Sequence, residues 1–449
     1  MEKTRKVPAK IKYSFAFGAL GKDLIYGMIA TFSMIYFTDI LKVAPAFIGF
    51  MFCVAKLWDA FNDLYMGMII DNTKSRFGKF VPWLVIGTLI NAVIFVLVFT
   101  DFGFKGTKLL IFSSVIYILW GMTYTIMDIP YWSIIPTLTK DPRERDKVSV
   151  LPRIFASLGQ SLIIAGLGWH IINSLGGGYS GFHNFAIIIS ITFVFTIGVC
   201  VFFLPKKDTT TENKEKIKFI DVFRILKNND QIKWAVLLIL LYNIAIQAIM
   251  TVAPYYFKYV CEEVKVHMQI SFMVSASIAE VFGLIFFPFL SKKLTRKKTF
   301  FLACIFPPIG LILLFIISFT CPTNIFLTAL SGIIVKFGTG LELGCATVFL
   351  SDVVDYGQYM SGKRNEGVIF SLQTLTVKLT SALSVFLIGF SLQLTGYIPN
   401  ITQTPITKNA IRILMCIISA LSVLVAYFIY IKKYKLNDVF MEEVNKTIK

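Results

Sequence analysis

Charged residues are scarce in this chain. Asp, Glu, Lys and Arg make up 16% of its 449 residues, against about 25% in ordinary soluble domains. A soluble chain of this length would form two or three domains, each with a polar shell, and there are too few polar residues to build them. Histidine is rarer still. His170, His183 and His267 show no metal-ligand spacing, which leaves no reason to expect a zinc centre. The seven cysteines stand singly, mostly in apolar runs, with no CxxC, and are expected to act as small buried hydrophobes. Strict alternation over segments of about 10 residues, the mark of a membrane barrel, is missing. There is no nucleophile motif and no soluble signalling domain, which argues against a membrane-embedded enzyme or a membrane sensor.

What is present is apolar length. Hydrophobic residues make up 56% of the chain, in stretches long enough to cross hydrocarbon as helices, about 20 residues each. With barrels excluded, helices are the remaining way to satisfy backbone groups in lipid. Twelve spans are expected, near 14–40, 44–70, 80–100, 108–137, 150–173, 183–204, 233–260, 268–290, 298–319, 323–354, 366–394 and 409–431. The basic start, MEKTRKVPAKIK, runs into a span of full length, so a retained first helix is expected rather than a cleaved signal peptide.

A polar stretch divides the spans six and six. The expected organisation is an N-terminal six-helix bundle (1–205), a central loop (206–232), a second six-helix bundle (233–432) and a tail (433–449). Such 6+6 layouts occur in transporters with a substrate site near the midplane. Of the 44 Lys and Arg, 33 lie in alternate connections that include both tails and the central loop, and 7 in the others. The positive-inside rule places the first set in the cytoplasm. The net charge of +18 thus belongs to one membrane face and does not indicate nucleic acid. In the central loop Phe219, Ile220, Phe223 and Leu226 recur at helical spacing between Lys218, Arg224 and Lys227, which predicts an amphipathic helix on the inner leaflet.

Several ionisable residues fall inside spans, where each disfavours insertion by roughly 2.5–3.5 kcal/mol. Span 1 carries Lys22 and Asp23. Span 2 carries Lys56, Asp59, Asn62 and Asp63. Asp59 and Asp63 are four apart and share a helix face. Two carboxylates there repel unless a cation or proton lies between them, and Asn62 can add an oxygen, as hard cations prefer. Pairing of Asp59 with Lys56 is the plainer alternative. In span 4, Tyr124, Asp128 and Trp132 form one polar and aromatic face, with Thr125 one position round it. A carboxylate beside an indole suits a sugar or polyol better than a lipid. Arg153 begins span 5. Span 11 carries Gln373, Thr374 and Lys378, and a lysine at that depth needs an acidic partner. Glu280, Lys336 and Glu342 suggest one more ion pair, whose members spacing does not decide.

These residues carry a resemblance. GALGKD (18–23), WDAFNDLYMG (58–67), SRFGK (75–79), PWLVIGTL (82–89), YILWGMTYTIMDIPYWS (117–133), DVVDYG (352–357) and SLQTLTVK (371–378) resemble the bacterial melibiose carriers. Those carriers belong to the glycoside–pentoside–hexuronide:cation symporter family of the major facilitator superfamily. The resemblance implies an all-α membrane protein, with twelve transmembrane helices in two pseudo-symmetric six-helix bundles. It implies alternating access in the cell membrane, inward movement of a galactoside such as melibiose, and Na+, Li+ or H+ as coupling ion, with no cofactor. By resemblance Asp23, Asp128, Lys22, Tyr124, Trp132, Arg153, Gln373, Thr374 and Val377 would bind sugar. Asp59, Asn62, Asp63 and Thr125 would bind the cation, with Na+ at Asp59 and Asp63. Lys378 would link the bundles, and Asp71, Arg76 and Gly78 would form the cytoplasmic gate. The expected partners are a sugar, a monovalent cation and the lipid bilayer, and the cytoplasmic loops offer a surface for a regulatory protein. Leu343 stands where those carriers have tryptophan. Glu342, Lys336 and Glu280 also depart from their pattern. The sugar is therefore less determined than the cation, and a pentoside, a glucuronide, a sulfonated sugar or another glycoside is the alternative.

Overall fold

The computed structural model describes residues 7–73, 75–138, 142–205, 229–261, 265–362, 366–436 and 438–448. The amphipathic helix expected around 218–227 lies outside them, as do some side chains within helices, that of Asp71 included. Every described element is helical, and the chain divides into two compact units, Met1–Asn213 and Lys214–Lys449.

In the first unit, α1 (Ala9–Ile35) continues through a π-helical turn, Tyr36–Ile40. There follow α2 (Pro45–Asn72), α3 (Val81–Val98) and α4 (Gly106–Ser133). The fifth span, α5 (Pro142–Ser157), passes through a π-helical stretch, Leu158–Leu167, into Gly168–Ser174, and α6 is Gly178–Phe203. Proline stands in the first turn of α2 and α3, where its missing N–H has no helical partner to lose.

α1 is the most buried span of this unit, and its small residues explain why. A Cβ on Gly21 would collide with the Thr196 hydroxyl of α6, and one on Gly18 would come within 3.0 Å of Cys200 Cβ. On the other side, a Cβ on Gly159 of the π-helical stretch would lie 2.9 Å from the Leu20 carbonyl oxygen. Glycine here is a requirement of close backbone approach. The result is that the segment bearing Lys22 and Asp23 is enclosed.

The second unit comprises α7 (Ile232–Tyr259), α8 (Lys265–Lys293), α9 (Arg296–Thr320), α10 (Ile325–Ser361) and α11 (Glu366–Leu394). α12 begins at Pro405–Arg412, passes through a π-helical turn, Ile413–Ile418, and ends as Ser419–Lys433. A short helix, α13 (Asp438–Ile448), closes the chain. α8 and α10 meet backbone to backbone, because Gly283 faces the Phe337 carbonyl and Gly340 faces that of Glu280. Met441 and Val444 of α13 pack with Ile232, Val353 and Val354 in one apolar cluster.

Among the described residues, eleven helices are long and apolar enough to cross a membrane. The one other expected span, α2, is a helix of 28 residues. Its middle carries Lys56, Asp59 and Asp63, which lowers its apolar character. Large apolar side chains cover the outer surfaces, with Phe202, Phe195 and Ile191 of α6 all exposed, as a lipid-facing surface requires.

Candidate functional site

Lys22 is the centre of a buried polar cluster. Its ammonium lies 2.8 Å from Asp128 Oδ1 and 3.2 Å from Asp23 Oδ2, and it donates to the Tyr124 hydroxyl at 3.2 Å. The rings of Trp132, Tyr124 and Tyr131 surround it, with centroids at 5.1, 5.5 and 5.8 Å. Two sequence features bring these groups together. The glycines of α1 turn Lys22 and Asp23 inward. Tyr131 stacks on Phe15 at 4.3 Å and donates its hydroxyl to the Phe15 carbonyl, which clasps α4 to α1.

The cluster holds one cation and two carboxylates, so a buried ammonium is balanced and one negative charge remains. Lys22 and Asp23 are buried, while Asp128, Tyr124 and Trp132 are half-buried. The accessible side thus offers a carboxylate, a phenol and an indole. That set can accept hydrogen bonds from hydroxyls and cover an apolar ring face.

A second cluster lies where α2 meets α4. A Cβ on Gly121 would run into the Asp59 carboxylate, so glycine alone admits that side chain against α4. One turn on, Asn62 donates to the Met122 carbonyl at 3.4 Å, and Thr125 donates to Asp63 Oδ1 at 3.1 Å. Two carboxylates, an amide and a hydroxyl therefore line one helix–helix seam, a set of hard oxygen donors suited to a small monovalent cation. The Lys56 ammonium is 3.6 Å from Asp59 Oδ2, so the plainer pairing considered from the sequence exists in this structure.

α4 divides the two clusters. Gly121 and Thr125 stand on its flank towards α2, and Tyr124 and Asp128 on its flank towards Lys22, each pair four residues apart. An aromatic bridge joins them. Lys56 faces the rings of Tyr26 and Trp120, both at 5.7 Å. These rings in turn lie 5.8 and 5.5 Å from that of Tyr124, which holds Lys22. Sequence reading did not single out Gly121, Trp120 or Tyr26. Periodicity carried a signal for the two rings, since Tyr26 is four residues from Lys22 and Trp120 four from Tyr124. Nothing in the sequence marked Gly121.

Of the other expected residues of the first unit, Arg153 and Arg76 are not drawn into these clusters among the described residues. Arg153 is exposed on α5 and, among the described residues, makes no hydrogen bond or ion pair to them. Gln373, Thr374, Val377 and Lys378 belong to the second unit and share one face of α11. After α2, Arg76 is exposed and lies over the Phe77 ring at 4.8 Å. Gly78 turns at φ +83°, a conformation that favours glycine, while the Asp71 side chain is outside the described residues.

Comparison with known proteins fits this architecture. Residues 14–438 match the family described as MFS/sugar transport protein. The chain is 28% identical over 442 residues to the uncharacterized symporter YjmB of Bacillus subtilis (strain 168), covering 98% of this chain and 95% of that one. It is 30% identical over 410 residues to a lactose permease of Leuconostoc lactis, covering 84% of this chain and 61% of the permease's length. The fold is similar to the crystal structure of nucleoside transporter NupG, with a TM-score of 0.63 at 16% identity, covering 95% of this chain and all of that one. The chain belongs to the MFS sugar-transport family, and it is a multi-pass membrane transporter rather than an enzyme.

Proposed function

We propose that this protein is a symporter that couples the entry of a monovalent cation, Na+ in the first place, to uptake of a galactoside such as melibiose by alternating access. The observation that carries the reading is that one helix, α4, supplies groups to both carboxylate clusters. A cation between Asp59 and Asp63, with oxygens from Asn62 and Thr125, relieves their repulsion and fixes α4 against α2. It also competes with Lys56 for Asp59. Tyr124 and Asp128, on the adjoining flank of the same helix, are then held in place for sugar hydroxyls, with Trp132 as the stacking surface. By linkage, sugar tightens cation binding by the same factor.

The lactose permease and symporter among the relatives are in keeping with a galactoside and with coupled transport. The family resemblance assigns Asp23, Lys22, Arg153, Gln373, Thr374 and Val377 to the sugar, Lys378 to coupling, and Asp71, Arg76 and Gly78 to the gate. The distribution of basic residues supports an orientation with both termini cytoplasmic, and the family resemblance supports a cell-membrane location. Leu343, in place of an aromatic residue on α10, favours a second reading in which the sugar is another glycoside, a pentoside, a glucuronide or a sulfonated sugar.

Uptake into proteoliposomes, with a panel of sugars and with or without Na+ or Li+, tests both. Melibiose or another galactoside should enter fastest and be stimulated by Na+. Preference for a hexuronide or pentoside moves the conclusion to the second reading, and indifference to every cation and to pH refutes symport.

A further inference from the structure

Lysines gather where α7 begins and α12 ends, at one end of the second unit. Lys233 stands in the first turn of α7, and Lys432 and Lys433 in the last turn of α12; all three are exposed. Both helices contribute a cation to one indole. The Lys233 ammonium is 5.2 Å and the Lys433 ammonium 5.6 Å from the ring centroid of Trp234. The backbone fixes this meeting. The Lys435 N–H donates to the side-chain carbonyl of Gln231 at 2.9 Å, which ties the chain leaving α12 to the chain entering α7. Lys435 itself is engaged by Asp230 at 3.2 Å. Among the described residues no carboxylate pairs with Lys233, Lys432 or Lys433.

Helix electrostatics accounts for only part of this. Lys432 and Lys433 complement the negative end of α12, but Lys233 stands at the positive end of α7, where a cation is disfavoured. Two ammoniums on one indole also repel each other. An anion beside Trp234 offsets both effects. The surface leading to it says what carries the anion. Leu421, Val425 and Phe428 are exposed and, four and three residues apart, form one stripe along α12. Lys432 is the next member of that stripe, four residues on. An apolar stripe that ends in ammoniums matches a molecule with a hydrocarbon tail and an anionic head. Free phosphate gains nothing from the stripe, and an indole is at home where head groups meet hydrocarbon. Basic sites beside spans take anionic head groups by this same chemistry.

We propose that this end of the second unit binds one anionic phospholipid. Its phosphate sits between Lys233 and Lys433 at Trp234, and Lys432 adds a third ammonium. Its acyl chains lie along the stripe of Leu421, Val425 and Phe428. The lipid bridges the start of α7 and the end of α12, whichever sugar and cation are carried.

Native mass spectrometry of the purified full chain, released from detergent with phosphatidylglycerol or with phosphatidylcholine of the same acyl chains, tests this. Phosphatidylglycerol should bind the more tightly. Lys233→Gln with Lys433→Gln should weaken its first binding event by roughly 25-fold and leave phosphatidylcholine unchanged, whereas Lys233→Arg with Lys433→Arg should retain it. Trp234→Ala should weaken it as well, although no charge is altered. Lys297→Gln with Lys298→Gln, which removes equal charge from the exposed start of α9, should not. Thermal unfolding of each variant without phosphatidylglycerol should match the wild type, which separates lost binding from a lost fold. An equal loss in the α9 variant would reduce the effect to general surface charge and overturn the site, as would equal affinity for the two lipids. Displacement of phosphatidylglycerol by inorganic phosphate would overturn it too, in favour of a free anion. The assay contains no sugar, so failure of the sugar assignment and failure of this proposal are distinguishable.

Discussion

Gly121→Ala is the sharpest test of how the two clusters are divided. In an exposed helix interior this change is favourable by about 0.8–1.0 kcal/mol, because alanine restricts the unfolded chain. Here the added methyl would lie 3.2 Å from both Cγ and Oδ2 of Asp59 and closer still to Oδ1. Either the carboxylate swings off α4 or α2 and α4 separate. Overpacking of this kind costs about 1–3 kcal/mol, and it falls on the arrangement proposed to hold the cation. At 1.4 kcal/mol per factor of ten, the half-saturating Na+ concentration should rise roughly 5- to 150-fold. Tyr124 and Asp128 face the other flank, so sugar affinity without Na+ should be nearly unchanged. Displacement of a labelled galactoside from membranes, titrated with Na+, measures both quantities, and thermal unfolding of the purified variant checks that the fold survives. An unchanged Na+ requirement, or loss of sugar affinity with the Na+ response intact, would refute the reasoning.

Other expectations follow from the same geometry. Asp128→Ala removes the accessible carboxylate and one partner of buried Lys22, a loss on the order of 3–5 kcal/mol, so galactoside displacement should be abolished; the milder Asp128→Asn should bind weakly and fold normally. Asp59→Cys should lose Na+ stimulation of uptake while keeping some sugar binding, and full Na+ stimulation would remove Asp59 from the cation site. Outside the spans, Asp230 anchors the chain's end: it accepts from Tyr356 at 3.0 Å and Gln231 at 2.9 Å and pairs with Lys435 at 3.2 Å. Partial burial pushes its carboxyl up, but the hydrogen bonds from Gln231, Lys435 and Tyr356 outweigh this and hold it below the usual carboxylate range. A depressed carboxyl stabilises above its unfolded value and loses that contribution as pH falls through its folded one. Protection of the α13 amides, measured against the intrinsic exchange rate at each pH, should therefore fall in acid, and Asp230→Asn should produce the same loss at neutral pH; protection that ignores both would exclude this anchor.

The sequence by itself determined the class of the protein. Its shortage of charge, its apolar lengths and the break between two sets of six spans define a helical membrane protein, because hydrocarbon leaves few other ways to satisfy a backbone. It also determined which side chains sit at unfavourable depth, and periodicity grouped Asp59 with Asp63 and Tyr124 with Asp128 along single helices. Which residues meet across helices was a matter for the tertiary structure. Lys22 was legible as one polar residue among several, yet its place between Asp23 and Asp128 depends on how closely α1 packs at Gly18 and Gly21. That Lys336 pairs with Glu280 rather than Glu342 emerged only from the tertiary structure. Gly121 was an unremarked glycine until α2 laid Asp59 against it. Helical spacing fixes the face on which a residue stands, and only the approach of neighbouring helices fixes what that face touches.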